Sequence, residues 1–399
     1  MVRLAHVWSA DLGLALSLHH IRHLIARGWE VYGICPPGPR VDEIKRAGVR
    51  WLPHTLERKM IAKGDPAALR DLYHTYRAHR FDIVHTHNAK IGIAARLVAA
   101  AARVPIIAHT HNGLIYSLDS PVAFKYGVAA LERMASEVAD CIFVQSQDDY
   151  DALVTTGGAR PELLHLLGNG VDMTRFDPHR FDDAKRAELR RSLGVNSSDV
   201  LFFSAGRLVN EKGFVELFDA HREARKENPN VRLAIAGPAD TERGLGIDQA
   251  TLDKASADGV LLLGERSDMP ELYAASDVVI LPSWREGIAR VLMEGAAMGK
   301  PLIASDARGC RNVVQPSWGL VTRLRSASAI TNAILKLANS EAMRATIGTH
   351  NYAKARELYD LKRLVGQVDD VYDHLLSERG ISDPSRPENN LNRRAQAVR

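Results

Sequence analysis

Short apolar segments alternate with helical segments along almost the whole chain, and this alternation restricts the fold more than any other feature. In the first half, the apolar strand candidates are LAHVW, VYGIC, DIVHTH, PIIAHTH and residues 141–145 and 163–167. The helix candidates between them lie at residues 14–27, 41–47, 66–79 and 91–102. Short strands that alternate with helices are typical of a parallel, doubly wound sheet.

The second half of the chain repeats this pattern with the strand candidates LFFSAG, RLAIAG, VLLLG, DVVILPS, PLIASD and GLVTR. The turn Gly168-Asn169-Gly170 separates the halves. We therefore predict an α/β protein with two Rossmann-like domains, residues 1–170 and 171–355, which face one cleft and bind ligands at the carboxyl ends of their strands. The tail at 380–399 has no apolar stripe and is predicted to be disordered.

Charge, cysteine content and apolar run length disfavour a nucleic-acid-binding, secreted or membrane-spanning protein. Residues 1–110 carry 16 Lys and Arg against 8 Asp and Glu, although the whole chain has a net charge of only +4. A basic segment of this kind can attract anionic lipid head groups or an acceptor diphosphate. The alternative is that these lysines and arginines are dispersed over the surface and bind no particular partner. The three cysteines are far apart and predict reduced thiols in a cytoplasmic protein. We find no nucleic-acid motif, signal peptide or apolar run of bilayer length.

Two glutamates flank the start of a predicted helix in LPSWREGIARVLMEGAAMGK, residues 281–300. Glu286 lies in the loop before the predicted helix at 288–298, and Glu294 lies within it. The helix start between them offers free N–H groups and a positive dipole end, which attract phosphate. Two carboxylates around an anion site match a sugar–diphosphate–ribose ligand, although a surface helix with solvated glutamates would show the same spacing.

A basic pair follows the first strand candidate of the second half, in SAGRLVNEKGF at residues 204–214. Arg207 offers a fixed fork of donors and Lys212 a mobile charge, and together they could neutralise a diphosphate without a metal. Alone, such a pair is often only a feature of a surface loop. Because it precedes the two-glutamate segment in one strand–helix alternation, it predicts a diphosphate-binding corner.

Five blocks of this sequence resemble the retaining glycosyltransferases of family four, which have the GT-B architecture: DIVHTHNAKIGIAARL, LLGNGVDMTRFDP, GRLVNEKG, DMPELYAASDVVILPSWREG and VLMEGAAMGKPLIASDARGCR. The resemblance runs from about Asp11 to Tyr372, and it is nearest to bacterial enzymes that extend lipid-linked oligosaccharides for surface polysaccharides. It implies a nucleotide-diphosphate sugar as donor (UDP expected, GDP the alternative), a saccharide acceptor that is polyprenyl-diphosphate-linked, and no cofactor.

The same resemblance implies that helices at 356–379 return to the first, acceptor-side domain. It also implies work at the cytoplasmic face of the membrane, with a peripheral contact to the inner membrane surface. The segment RKMIAK at 58–63 is a candidate for that contact, with a solvated loop as the alternative.

Roles for individual residues also follow from the resemblance. Glu294 would bond the ribose hydroxyls, Glu286 the transferred sugar, and Arg207 with Lys212 the diphosphate. Further binding candidates are the amides of Gly287, Ile288 and Ala289 at the diphosphate, Arg266 near the base, and Gly13 in a loop after the first strand. No DxD-like acidic motif lies near a strand end, which favours metal-free catalysis.

Two histidine pairs end consecutive strand candidates in the first domain, His85 with His87 and His109 with His111. By resemblance, His111 is the candidate that bonds the donor sugar near the reacting carbon, with Asn112 in support and His87 as a further binding residue. A second alignment gives Asn112 this position. No catalytic base is named, because the leaving phosphate is expected to take the acceptor proton.

Two other functions remain open. A GT-B nucleotide-sugar epimerase would share the fold and the nucleotide, but it needs acid/base carboxylates that flank the sugar. A non-catalytic sugar-binding subunit of an assembly complex is the other alternative. A dinucleotide dehydrogenase is disfavoured, because no G-x-G-x-x-G follows the first strand candidate.

Overall fold

The computed structural model describes residues 1–56, 65–118, 120–239, 246–315, 317–383 and 385. The chain forms two compact units. The first comprises Met1–Gly168 together with the chain from Val365 onward, and the second comprises Asn169–Leu364. The RKMIAK segment at 58–63 and residues 386–399 of the predicted tail lie outside the described residues.

The first unit is built on a parallel sheet of seven strands with the order β3-β2-β1-β4-β5-β6-β7. The strands are β1 Arg3–Val7, β2 Glu30–Ile34, β3 Arg50–Leu52, β4 Ile83–His87, β5 Ile106–His111, β6 Cys141–Val144 and β7 Leu164–Leu166. The doubly wound sheet predicted for this half is therefore confirmed, although the short β3 was not predicted.

Helices cover both faces of this sheet: α1 Asp11–Leu16, α2 Leu18–Ala26, α3 Val41–Arg46, α4 Asp65–His79, α5 Ala89–Ala101, α6 Val122–Ser136 and α7 Gln147–Thr156. Neighbouring residues of β1 belong to different cores, since Leu4 packs on one face of the sheet and Ala5 on the other. Apolar cores on both faces thus hold the sheet in place.

The helix predicted at 14–27 is two helices, and the break lies at Ser17. The Ser17 hydroxyl donates to the carbonyl oxygen of Gly13 at 3.1 Å, and its amide donates to Leu14 at 3.0 Å. Such side-chain bonds to the preceding turn compete with regular helix geometry. Gly13 lies inside α1 and not in a loop, so the loop expected at this position is wrong.

The second unit has a parallel six-stranded sheet with the order β10-β9-β8-β11-β12-β13. Its strands are β8 Val200–Ala205, β9 Val231–Ala236, β10 Val260–Leu262, β11 Val278–Leu281, β12 Leu302–Ser305 and β13 Gly319–Thr322. Its helices are α8 Asp183–Ser192, α9 Phe214–Glu227, α10 Gln249–Ala257, α11 Met269–Ala275, α12 Arg290–Ala297, α13 Ala327–Ala338 and α14 Glu341–Tyr359. All six predicted strands are present, so the second Rossmann-like sheet is also confirmed.

The last helix of the described residues, α15 (Leu361–Glu378), begins in the second unit, and from Val365 onward it belongs to the first. Its residues Val368, Tyr372, Leu375 and Leu376 join the core that contains Leu4. This part of α15 is therefore packed against the first sheet.

No helix in the described part of the chain is long and apolar enough to cross a membrane. The three cysteines are buried and unpaired with one another. Burial raises the pKa of the Cys35 thiol to about 11.

Candidate functional site

The strand order of the second sheet reverses between β8 and β11, so residues that follow these two strands share one edge of the sheet. Arg207 and Lys212 follow β8, and Glu286 follows β11. Crevices at such a switch point are the usual ligand sites of open α/β sheets. The topology therefore brings the basic pair and the first glutamate to one place.

Lys212 and Glu286 are in direct contact. The Lys212 ammonium nitrogen lies 2.5 Å from Oε1 of Glu286, and the Ser283 hydroxyl donates to the same oxygen at 2.6 Å. The Lys212 side chain is 23% exposed and that of Glu286 is 10% exposed. Glu286 is therefore fixed by two donors while its position at the strand end remains reachable.

Backbone packing holds the loops that carry these residues. Gly213 has a φ of 69°, and a Cβ there would lie 2.1 Å from the carbonyl oxygen of Pro282. The loop after β8 thus touches the loop after β11 closely. The amide of Glu286 also donates to the carbonyl of Arg308 at 3.2 Å, so the loop after β12 supports the same residue.

Arg207 is exposed and follows Gly206 directly at the end of β8. Gly206 is held by Gly237 of the neighbouring strand end, where a Cβ would lie 1.9 Å from the Gly206 carbonyl oxygen. Arg207 therefore follows a backbone corner at which position 237 has no room for a side chain.

Glu294 lies within α12, as predicted, but this helix begins at Arg290 and not at residue 288. The hydroxyl of Tyr273 donates to Oε2 of Glu294 at 2.9 Å, and the Arg290 guanidinium lies 3.5 Å from Oε1. Burial raises the pKa of the Glu294 carboxyl, while Arg290 and Tyr273 oppose this shift. One oxygen of Glu294 is thus anchored by a tyrosine on the neighbouring α11.

The three candidate amides precede α12. Gly287 and Ile288 are half-buried, and Ala289, the residue just before the helix, is buried. The amide of Arg290 donates to the carbonyl of Ile288 at 3.0 Å, which makes a tight turn before the helix. The backbone therefore reaches the helix start through a loop that also contains Glu286.

Arg266 forms two bonds with Asp268, at 2.7 and 2.5 Å, and this partner raises the pKa of Arg266. Next to it, Arg175 donates to the carbonyl of Ser267 at 3.1 Å, and its charge opposes the rise that burial causes in the pKa of Glu294. Arg175 thus links the Arg266 loop electrostatically to Glu294.

Sequence reasoning assigned no role to Arg175, Tyr273 or Ser283, although all three lie in the blocks quoted for the resemblance. Tyr273 donates to Glu294 and Ser283 donates to Glu286, whereas Arg175 bonds the Ser267 carbonyl and acts on Glu294 through its charge. Residue order alone does not show such contacts.

In the first unit, buried histidines of two adjacent strands, β1 and β4, lie together on one face of the sheet. His6 and His87 are hydrogen-bonded at 3.0 Å between their ring nitrogens, and His87 stacks on Trp8 with ring centroids 3.9 Å apart. His85 bonds Thr110 at 2.7 Å and also the hydroxyl of Tyr372 on α15. Burial lowers the pKa of His6 to about 3 and that of His87 well below 6.5, so these rings are neutral near pH 7.

The second pair, His109 and His111, lies on the other face of the sheet. His109 bonds Thr86 at 2.8 Å and approaches His111 at 3.4 Å. His111 in turn lies 3.8 Å from Glu132, whose carboxylate binds Arg96 at 2.5 Å. Burial lowers the pKa of His111 to about 4, although Glu132 raises it.

His111 is only 2% exposed, whereas Asn112, the next residue, is exposed. At the end of β5, the side chain that a ligand can reach without rearrangement is therefore Asn112. His87 is also buried, at 5% exposure.

Two groups of side chains have the chemistry of metal ligands, His6 with His85 and His87, and His109 with His111 and Glu132. In the first group the rings of His85 and His87 are stacked, 22° from parallel. Both nitrogens of His85 are already bonded. In the second group Glu132 is paired with Arg96. Neither arrangement fits a tetrahedral ion as it stands.

Gly13 has a packing role. A Cβ at this position would lie 2.2 Å from the ring of Trp8, the same ring that stacks on His87. The glycine lets α1 approach the end of β1 and keeps Trp8 in place.

Comparisons with known proteins agree with this architecture. Residues 17–175 match the model of Glycosyltransferase Family 4, and residues 185–354 match that of the group 1 glycosyl transferases. The chain is 25% identical, over 93% of its length and 96% of the relative, to the Escherichia coli UDP-Gal:alpha-D-GlcNAc-diphosphoundecaprenol alpha-1,3-galactosyltransferase. It is 24% identical to the capsular polysaccharide glycosyltransferase CapM of Staphylococcus aureus, over 94% of this chain and 98% of that protein.

Solved structures show the same fold. The Anabaena protein HepE, solved with UDP and glucose, superposes with a TM-score of 0.78 at 20% identity, over 94% of this chain and all of HepE. WaaG, a glycosyltransferase of lipopolysaccharide biosynthesis, gives a TM-score of 0.71 at 17% identity, over 93% of this chain and 99% of WaaG. Together, the two Rossmann-like sheets, the matched family models and these relatives show that the chain is a glycosyltransferase of family four with the GT-B fold.

Proposed function

We propose that this protein transfers a sugar from a UDP-linked donor to a polyprenyl-diphosphate-linked saccharide at the cytoplasmic face of the membrane, as a step in surface polysaccharide synthesis. The observation that carries the proposal is the contact of Lys212 with Glu286 at the switch point of the second sheet. The named activity of the Escherichia coli relative, which uses UDP-Gal and a diphosphoundecaprenol-linked sugar, supports the donor and acceptor classes.

In this proposal, Arg207 and Lys212 neutralise the donor diphosphate, and the amides of Gly287, Ile288 and Ala289 add donors at the start of α12. Preorganised donors stabilise the charge that grows on a departing diphosphate. Lys212 is suited to this role, because its ion pair with Glu286 already holds the ammonium at the strand end.

The two glutamates would divide the recognition of the donor between them. Glu286, fixed by Ser283 and Lys212, would accept bonds from hydroxyls of the transferred sugar. Glu294, anchored by Tyr273, would accept bonds from the ribose. The Arg266 loop, bound by Arg175, would contact the base.

We further propose that transfer retains the anomeric configuration and needs neither a protein nucleophile nor a divalent metal. The bond from the sugar anomeric carbon to the phosphate oxygen breaks while the bond to the acceptor oxygen forms on the same face. The acceptor proton passes to the released phosphate oxygen, so no protein base is required. The end of β5 would contact the sugar, through exposed Asn112 or through His111 after a rearrangement of the strand end.

A panel of UDP- and GDP-sugars tested by thermal shift would identify the donor, since a ligand that binds the native state raises its melting temperature. We expect a UDP-sugar to give the largest shift and Lys212→Ala to abolish it. Shifts from no nucleotide sugar would contradict the proposal.

The identified donor would then be incubated with and without a lipid-diphosphate-linked saccharide. We expect the NMR spectrum of the product to show a new linkage with the same anomeric configuration, α or β, as the donor sugar. We also expect full turnover in the presence of EDTA. An inverted linkage, or turnover that returns only with added divalent ions, would contradict the mechanism. Epimerisation of the donor without acceptor would instead identify an isomerase.

A further inference from the structure

The outward face of α6 in the first unit is apolar. Five large side chains of this helix are exposed: Val122 68%, Phe124 48%, Tyr126 50%, Leu131 40% and Met134 50%. The loop before it adds Ile115 at 40% and Leu118 at 42%. Contiguous exposed apolar surface of this kind marks an interaction site more often than a solvated surface.

The distribution of charged and apolar residues on α6 is the reverse of that on an ordinary surface helix. Glu132 points inward, is 2% exposed, and binds the buried guanidinium of Arg96. Between Ala123 and Met134 the exposed positions are apolar or glycine: Ala123, Phe124, Tyr126, Gly127, Ala130, Leu131 and Met134. A surface helix normally presents its charged residues to water. Here the acidic residue holds the helix to the unit and the apolar residues are left outside.

Basic residues flank this face. Lys125 and Arg133 are half-buried beside it. Lys125 donates to the carbonyl of Leu118 at 2.6 Å, which ties the loop to the helix, and Arg133 forms an ion pair with Glu137 at 2.6 Å. Apolar and aromatic side chains framed by lysine and arginine are typical of helices that lie in the interface of an anionic bilayer.

We propose that the exposed face of α6, with the loop that carries Ile115 and Leu118, inserts into the interfacial region of an anionic lipid bilayer. The inference deepens and rests on the proposed function, because a polyprenyl-linked acceptor presents its diphosphate at the bilayer surface. A second copy of the chain fits this face less well, since a two-fold contact would bring the flanking basic residues of both copies together.

Vesicle sedimentation with the full-length protein tests this surface. We expect binding to vesicles of phosphatidylglycerol and phosphatidylethanolamine, and weak binding to phosphatidylcholine alone. Leu131→Glu/Met134→Glu should reduce the apparent affinity about tenfold or more, because two side chains that enter the interface become charged. Leu358→Glu, at a residue of the second unit that is 38% exposed, is the matched control and should bind as the unchanged protein does.

If the double variant is unstable, Phe124→Ser in the first turn of α6 serves as a second variant. We expect it to keep the melting temperature of the unchanged protein, because Phe124 is 48% exposed. Binding that is unaffected by both variants would overturn the proposal. So would light scattering that shows a dimer of the unchanged protein converted to a monomer by these substitutions, since the face would then join two copies.

Transfer assays separate this inference from the proposed function. With a short-chain, water-soluble acceptor the α6 variants should keep full activity, whereas with a long-chain acceptor in vesicles they should lose about tenfold, as their membrane affinity does. If the unchanged protein is active on neither acceptor, the proposed function is contradicted. The vesicle-binding result then decides by itself whether the α6 face binds a membrane. Equal activity of variant and unchanged protein on the vesicle-bound acceptor contradicts the role of the surface.

Discussion

Single residues carry most of the proposed chemistry, and Glu286 is the most constrained of them. Its Oε1 atom accepts from both Ser283 and Lys212, so its position depends on two separate loops. The sequence indicated Glu286 and Lys212 separately, through a spacing and a resemblance. It could not show their contact, because they are 74 residues apart and meet only through the strand order.

Glu286→Gln keeps the size of the side chain but removes the charge that pairs with Lys212. We expect transfer to fall about 10²–10³-fold, the range found when a preorganised polar group of an active site is removed. The melting temperature should change little, because the glutamine amide oxygen can still accept from Ser283. Glu223→Gln, at an exposed ion pair of α9, is the control and should keep full activity. Full activity of Glu286→Gln would refute the assignment of this site.

Gly237 supports the corner that presents Arg207. Gly237→Ala should reduce the free energy of unfolding by about 3 kcal/mol or more, because the new Cβ would collide with the Gly206 carbonyl. Gly194→Ala is the matched control: its φ is 69° but its surroundings are open, so only the backbone cost of about 1–2 kcal/mol is expected. Urea unfolding measures both losses. If the two variants lose the same free energy of unfolding, a shift of the backbone relieves the collision at residue 237 and the prediction is wrong.

Among the elements, the strands were predicted well and the helix ends less well. Apolar strand segments have a strong periodic signal, whereas the limits of a helix depend on local bonds such as that of the Ser17 hydroxyl to Gly13. The late start of α12 has a similar cause, since the bond from Arg290 to Ile288 makes a turn before the helix. Side-chain bonds from Tyr273 to Glu294 and from Arg96 to Glu132 join elements that sequence periodicity treats separately.

The ion pair of Arg96 with Glu132 fastens α6 to α5. Glu132→Gln should reduce the free energy of unfolding by about 3–5 kcal/mol, because it leaves the guanidinium buried without a counter-charge. Arg96→Met/Glu132→Leu should recover most of this loss, since neither charge then remains in the interior. Urea unfolding of the single and double variants measures the coupling, and additive losses would contradict it.

At the scale of the whole molecule, the first unit depends on neutral histidines from three strands. The folded-state pKa values of His6 and His111 are lowered to about 3 and about 4, against 6.5 for an unperturbed histidine. Between pH 6.5 and 4 the unfolded chain therefore binds protons that the folded chain does not. The free energy of unfolding must then fall as the pH falls through this window.

Each such histidine should contribute a slope of up to about 1.4 kcal/mol per pH unit below 6.5. We expect His6→Leu to reduce this slope by the contribution of about one histidine. Urea unfolding between pH 7.5 and 5 measures these slopes. A stability that is independent of pH in this range would contradict neutral burial of these histidines.

The late contribution of α15 has a consequence for biosynthesis. Tyr372 binds His85, and Val368, Leu375 and Leu376 complete a core begun by β1, so the first unit stays unfinished until α15 has left the ribosome. The second unit, whose residues 169–364 are contiguous, has no such delay. During translation, the unit synthesised later can thus reach its native state before the unit whose synthesis begins first, because the first unit must wait for α15 to cover its apolar core.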